Sequence, residues 1–128
     1  MIYLLDTCAF IKAAVQGESG LGNRARKIML DRRNDLLMSA VSIAELAYLN
    51  LRGRIEIGHS ELERGLVDLQ IEVIPLRESH VERCFRLSSA PKDPLDRMII
   101  GTALAEDIPV ISSDNCFLLC KELHVVWN

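Results

Sequence analysis

The sequence opens on an uninterrupted apolar run, Ile2-Tyr3-Leu4-Leu5, that stops abruptly at a carboxylate, Asp6. A short apolar run without alternation predicts a strand covered on both faces, as in a parallel sheet between layers of helices. Asp6 then stands at the carboxyl end of that strand, the edge where open α/β sheets bind ligands. The design recurs twice: Val110-Ile111-Ser112-Ser113 runs into Asp114, and Leu36-Leu37-Met38-Ser39 leads to Glu45. A fourth acid, Asp96, opens a long helix. These four carboxylates are expected to converge on one metal-binding pocket.

After Asp6 the pattern predicts a short helix over 8–15, then a loop marked by Gly17, Gly20 and Gly22. A helix over 23–33 follows, with Ala25, Ile28 and Met29 on its apolar stripe. Its Arg24, Arg26, Lys27, Arg32 and Arg33 form the densest positive cluster of the chain. Two readings of that cluster stand open: a solvated face, or a contact for a polyanion or acidic partner.

Further on, the pattern gives a strand over 36–39, a helix capped by Ser42 and stopping near Gly53, and a helix over 61–69. A strand over 71–75 ends in proline, and an amphipathic segment spans 79–88. Asp93-Pro94 starts a helix with an acidic cap and proline at its first position, ending near Glu106. A strand at 110–111, a helix over 115–122 and a strand over 124–127 complete the chain. This alternation predicts one three-layer α/β/α domain over 1–128, with a central parallel sheet and right-handed crossovers.

Composition narrows the function classes. The net charge of -3 argues against nucleic-acid binding by bulk charge alone, while allowing a basic rim around an acidic site. No apolar run reaches the roughly 18 residues that span a bilayer, and no basic segment precedes the first apolar run, so neither membrane insertion nor a signal peptide is expected. Cys8, Cys84, Cys116 and Cys120 form no Cys-x-x-Cys pair, and His59, His80 and His124 lie far apart, which disfavours zinc. Free thiols in a reducing cytoplasm are the expectation, with Cys116 and Cys120 as packing residues.

Each acid also has a purely structural explanation. Asp6 and Asp114 can cap the helices that follow them. Glu45 stands three residues after Ser42, the spacing of a capping box. Asp96 stands three residues after Asp93 and would favour the positive end of its helix. The functional reading rests on the set, because a parallel sheet brings all four to one edge. Carboxylates that close repel unless a cation joins them. Magnesium takes such oxygen ligands, and two ions roughly 3.5–4 Å apart can activate water and stabilise the leaving oxygen of a phosphodiester.

Four blocks carry a family resemblance: Leu4-Leu5-Asp6-Thr7, Ser39-Ala40-Val41-Ser42-Ile43-Ala44-Glu45-Leu46, Lys92-Asp93-Pro94-Leu95-Asp96-Arg97-Met98-Ile99-Ile100 and Ile111-Ser112-Ser113-Asp114. In order and spacing along the whole chain they resemble the signature blocks of PIN domains, and more narrowly of VapC-type toxins from toxin–antitoxin pairs. The resemblance implies a Mg²⁺- or Mn²⁺-dependent endoribonuclease. Asp6, Glu45, Asp96 and Asp114 match its acidic quartet, with Asp6, Asp96 and Asp114 as metal ligands and Glu45 holding a metal-bound water or acting as base. Thr7 and Ser112 match supporting hydroxyl positions, where the family more often has threonine in place of Ser112. Arg97 is placed near the substrate's phosphates, or paired with Asp93 or a neighbouring chain. Helix capping explains Asp93 fully, so it stays outside the site.

Two positions depart from the family pattern. Cys8 stands where Asn, Ser or His is usual, and Gly101 replaces an alanine, at about 1 kcal/mol of helix stability.

The same resemblance implies an RNA substrate, a cognate antitoxin whose tail enters the acidic groove, a homodimer and a cytoplasmic location. The helix surface around Ile43, Leu46, Tyr48 and Leu49 reads as a core face, with a partner interface as the alternative. Two other functions compete. A haloacid-dehalogenase-like phosphatase also places Asp after its first strand, but its chemistry wants a second acid where Cys8 stands. A non-catalytic binding module that keeps the fold as a scaffold would be favoured by loss of an acid, and all four are present.

Overall fold

The structure, a computed structural model, describes residues 1–87 and 91–128. Five strands, β1 (Ile2–Leu5), β2 (Asp35–Ser39), β3 (Ile71–Ile74), β4 (Val110–Ile111) and β5 (Val125–Val126), form one sheet in the order β3-β2-β1-β4-β5. Every pairing is parallel. The helices are α1 (Thr7–Gln16), α2 (Asn23–Leu30), α3 (Ala40–Leu51), α4 (His59–Asp68), α5 (Glu78–Cys84), α6 (Pro94–Glu106) and α7 (Asn115–Leu118), with a 3₁₀ turn over Gly17–Gly20.

Alternate residues of a strand face opposite sides of the sheet. Tyr3 and Leu5 join one core cluster with Phe10, Ile28, Met38, Leu46 and Ile71. Leu4 joins the other, with Val41, Ile99, Ile100, Val110 and Phe117. Both sides of β1 are therefore covered, which is why its sequence shows no alternation. The expected three-layer α/β/α architecture with a central parallel sheet is the one observed. Among the described residues no helix is long and apolar enough to cross a membrane.

Several boundaries differ from expectation. Helix α3 starts straight off β2, and its cap is Ser39, whose Oγ accepts from the Val41 N–H at 3.1 Å. Ser42 is already inside the helix, so it is not the cap and cannot form a capping box with Glu45. Helix α2 stops at Leu30, short of Arg33. There the chain turns extended at Asp31, Arg33 folds back onto that carboxylate at 2.8 Å, and Asn34 Nδ2 donates to the Ile28 carbonyl at 3.0 Å. Helix α7 gives way after Leu118 to turns bonded Cys120 N–H to Phe117 O and Leu123 N–H to Cys120 O, so the helix expected to Glu122 is not continuous. The amphipathic segment expected to reach Ser88 is helical over Glu78–Cys84, and Ser88 lies outside the described residues.

Gly101 has a packing reason. A Cβ at this position of α6 would lie 2.3 Å from the His80 carbonyl oxygen and 2.7 Å from Cys84 Sγ, both on α5. The two helices are locked there by further bonds. His80, fully buried, accepts from the Arg77 N–H on Nδ1 and therefore presents Nε2–H to Glu106 at 2.8 Å. Propensity alone would make Gly101→Ala stabilising by about 1 kcal/mol. The clash is with backbone, which cannot swing aside, so the substitution should instead destabilise by about 1–3 kcal/mol in denaturant unfolding. A gain in stability would show that α5 is free to move off α6.

Candidate active site

The order of the sheet places β1 between β2 and β4, with the chain running outward on one side before crossing to the other. The C-terminal edge between β1 and β4 is the switch point at which open α/β sheets bind ligands. Leu5 pairs with Met38 on β2 and with Ile111 on β4. The residues that come next, Asp6, Ser39 and Ser112, therefore emerge side by side, and the Asp6 N–H donates to the Ile111 carbonyl at 3.1 Å.

Asp6 is 2% exposed. Its Oδ1 caps α1 by accepting from the Ala9 N–H at 2.7 Å, and its Oδ2 accepts a short bond from Ser112 Oγ. Ser112 Oγ in turn accepts from the Asp114 N–H at 3.0 Å, so one hydroxyl bridges two acids. Asp114 caps α7 through the Cys116 N–H at 2.9 Å. Thr7 Oγ1 donates to Ser42 Oγ at 3.0 Å, and both residues are buried. That bond fastens the start of α1 to α3, the helix that carries Glu45. Ser42 was not among the expected supporting residues. The only signal for it in the sequence, a serine ahead of Glu45, points to a cap instead.

Asp96 sits in the first turn of α6, behind Asp93, which caps the helix by accepting from Leu95 and Asp96 N–H groups. Glu45 stands in α3 with its Oε1 buried and without a hydrogen-bond partner. Buried acceptors are nearly always satisfied, so this atom marks a place for a donor or a cation.

Electrostatics tie the acids together. Burial pushes the Asp6 carboxyl up to about 6 against the pull of its Ser112 and Ala9 bonds, and Asp114 and Glu45 push the same way. Burial raises Asp96 to about 7, with Asp93, Glu45, Asp114 and Asp6 adding to the effect. Cys8 feels the whole quartet: desolvation, then Asp6, Glu45, Asp114 and Asp96, push its thiol up to about 12. Cys8 is thus a neutral thiol at the acidic edge rather than a thiolate nucleophile.

The structure brings all four sequence-predicted acids into one electrostatic neighbourhood. It does not close them into a cage: among the described residues no three Asp, Glu, His or Cys side chains surround a common metal position. The donor set is of carboxylate oxygens, which suits a hard cation, and the orphaned Glu45 oxygen lies within it. Arg97 is held away on the α5 side, where its guanidinium donates to the Cys84 carbonyl at 3.0 Å and the Pro91 carbonyl at 3.4 Å. That placement gives Arg97 a bracing task between α5 and α6.

Fold and site define an α/β domain with a cluster of mutually interacting acids at its switch point. Residues 3–119 match the family model of the PIN domain, and the chain belongs to that family. Membership sets aside the phosphatase alternative. No curated protein sequence matches the chain significantly. Among solved structures, VapBC2 from Rickettsia felis bound to a promoter DNA fragment superposes with a TM-score of 0.78 at 20% identity, over 100% of both chains. VapBC-5 from Mycobacterium tuberculosis gives 0.66 at 16% identity, over 98% of this chain and 97% of the other. VapC20 from the same organism, described as a Sarcin-Ricin loop cleaving toxin, gives 0.57 at 15% identity, over 84% and 86%. At these identities the likeness is one of fold.

The raised carboxyl values have a sign that can be checked. An acid whose folded value lies above its ordinary 3.8 favours the folded state while protonated, and that contribution disappears as pH rises through the folded value. For Asp6 and Asp96 the loss runs from about pH 4 to about pH 7. Without divalent metal, the melting temperature of the wild type relative to Asp96→Asn should therefore fall across that interval. A relative rise would mean that the folded protein does not hold the Asp96 carboxyl above its ordinary value.

Proposed function

We propose that this chain is a metal-dependent endoribonuclease and the toxin member of a toxin–antitoxin pair. PIN-domain membership and likeness of fold to VapBC assemblies support the class. The observation that carries the chemistry is the buried, unpartnered Glu45 Oε1 among acids that repel one another. Such a group calls for a hydrogen-bond donor or a cation, and a divalent ion would also relieve the repulsion. Asp6, Asp96 and Asp114 would hold Mg²⁺ or Mn²⁺, which when bound supplies an activated water and charge stabilisation for the leaving oxygen.

The chain's own residues do the rest. Glu45 Oε1, with no protein donor, is the acceptor for the proton that the attacking water gives up. Ser112 fixes the Asp6 and Asp114 positions through one hydroxyl, and Thr7 fixes α3, and with it Glu45, through Ser42. No side chain needs to act as nucleophile. In this reading the substrate is RNA, the antitoxin and a second copy of the chain are partners, and the work is cytoplasmic. The helix face at Ile43, Leu46, Tyr48 and Leu49 is divided: Leu46 is 2% exposed and belongs to the core, whereas Tyr48 is 53% exposed and available to a partner.

Cleavage of RNA should need added Mg²⁺ or Mn²⁺, and the same ions should raise the melting temperature. RNA cleavage that survives exhaustive chelation would rule out the metal-dependent mechanism.

Substitutions then separate the roles. Asp96→Asn should abolish cleavage in a folded protein. Glu45→Gln keeps the shape, and Ser39 rather than Ser42 caps α3, so no cap is lost with it. Its cleavage rate at saturating metal should fall about a hundredfold or more, with the metal-free melting temperature unchanged or higher. Near-normal cleavage by Glu45→Gln would take Glu45 out of the mechanism.

A further inference from the structure

One turn along α1 from Cys8, and so on the same helix face, stands Lys12. Its Nζ donates to Ser113 Oγ at 2.9 Å and lies 5.2 Å from the centroid of the Trp127 ring. Ser113 sits between Ser112, which holds Asp6, and Asp114. A lysine ammonium is thereby fixed from two sides at the rim of the acidic edge. An ammonium has three N–H donors, and Ser113 takes one of them, so capacity remains for a further acceptor.

Trp127 is itself held in place. The Trp127 carbonyl accepts from the Ala25 N–H at 2.9 Å, in the first turn of α2. A Cβ on Gly22 would lie 2.3 Å from that carbonyl oxygen, so the start of α2 is seated directly on Trp127. Lys12 thus stands at the acid edge beside Ser113, held by a tryptophan that also seats the start of α2. A chain of net charge -3 offers an RNA strand no bulk attraction, and a cluster of carboxylates repels phosphate. A fixed cation beside the cluster answers that problem.

We propose that Lys12, braced by Ser113 and Trp127, binds an RNA phosphate next to the acidic site. The inference rests on the ribonuclease reading above and adds to it the side of the site along which the strand runs. Lys12 is the contacting residue, and Ser113 and Trp127 position it.

The test uses a fluorescent single-stranded RNA and the full chain in an Asp96→Asn background, with anisotropy read over a salt series. Lys12→Met keeps the aliphatic stem on Trp127 and removes the charge. It should weaken RNA about tenfold and reduce the slope of log affinity against log salt by about 0.7, the share of one phosphate contact on a single strand. Lys12→Arg should restore both. Ser113→Ala should lose affinity by less than Lys12→Met. In the cleaving protein, Lys12→Met should act mainly on KM.

A mere packing clip between α1 and the loop after β4 would behave differently. Lys12→Met and Ser113→Ala would then lower the melting temperature alike and leave the salt slope untouched. That result, in a chain whose wild type cleaves RNA, overturns the assignment of Lys12 and leaves the ribonuclease reading standing. A wild-type chain that neither binds nor cleaves RNA overturns both.

Discussion

Asp6 holds together the part of this molecule on which the rest depends. Its carboxylate is buried at the end of the central strand, one oxygen closing the start of α1 and the other tied through Ser112 to the end of β4. Burying a carboxylate is expensive unless hydrogen bonds compensate it. Here they do so only in part, because the carboxyl still titrates near 6, with Asp114 and Glu45 adding their repulsion. The residue joins three elements and is under electrostatic load at the same time. For this reason a change at Asp6 confounds folding with chemistry, whereas Glu45 and Asp96 allow them to be separated.

The register of the sheet turns that local bond into a site. With Leu5 opposite both Met38 and Ile111, the next residue of each strand emerges on one edge. Each of these three residues is polar and each begins a helix or the turn into one: Asp6 caps α1, Ser39 caps α3, and Ser112 supports Asp114 at the cap of α7. Capping therefore aims the acids at the switch point. The structural and functional explanations of Asp6 and Asp114 are one arrangement serving both ends.

Much of this was legible in the sequence because it is periodic or local. The apolar runs at β1 and β4, the Asp93-Pro94 helix start and the alternation of strands with helices each leave a signal within a few residues. Ser42 carries a misleading local signal for a physical reason. A serine three residues before a glutamate looks like a capping box, yet the strand passes into the helix without a loop, so Ser39 takes the cap and Ser42 turns inward to Thr7. Lys12 and Trp127 could not have been found. They meet only because β5 lies beside β4 and α1 packs over that end of the sheet, and no spacing within the sequence records the encounter.

The same division explains Gly101, which as a sequence feature is only a weak point in a helix. Its missing side chain lets α5 approach until Cys84 Sγ donates to the Arg97 carbonyl at 3.0 Å and Arg97 returns a bond to the Cys84 carbonyl. Arg97 immediately follows Asp96. These bonds, with the Asp93 cap, fix the first turn of α6 from two directions. The half-buried Asp96 carboxyl is thereby carried on a turn that is bonded on both sides. Burial, with Asp93, Glu45, Asp114 and Asp6 adding to it, puts that carboxyl at about 7. Helix propensity given up at Gly101 thus reappears as a close α5–α6 contact that braces the turn carrying Asp96.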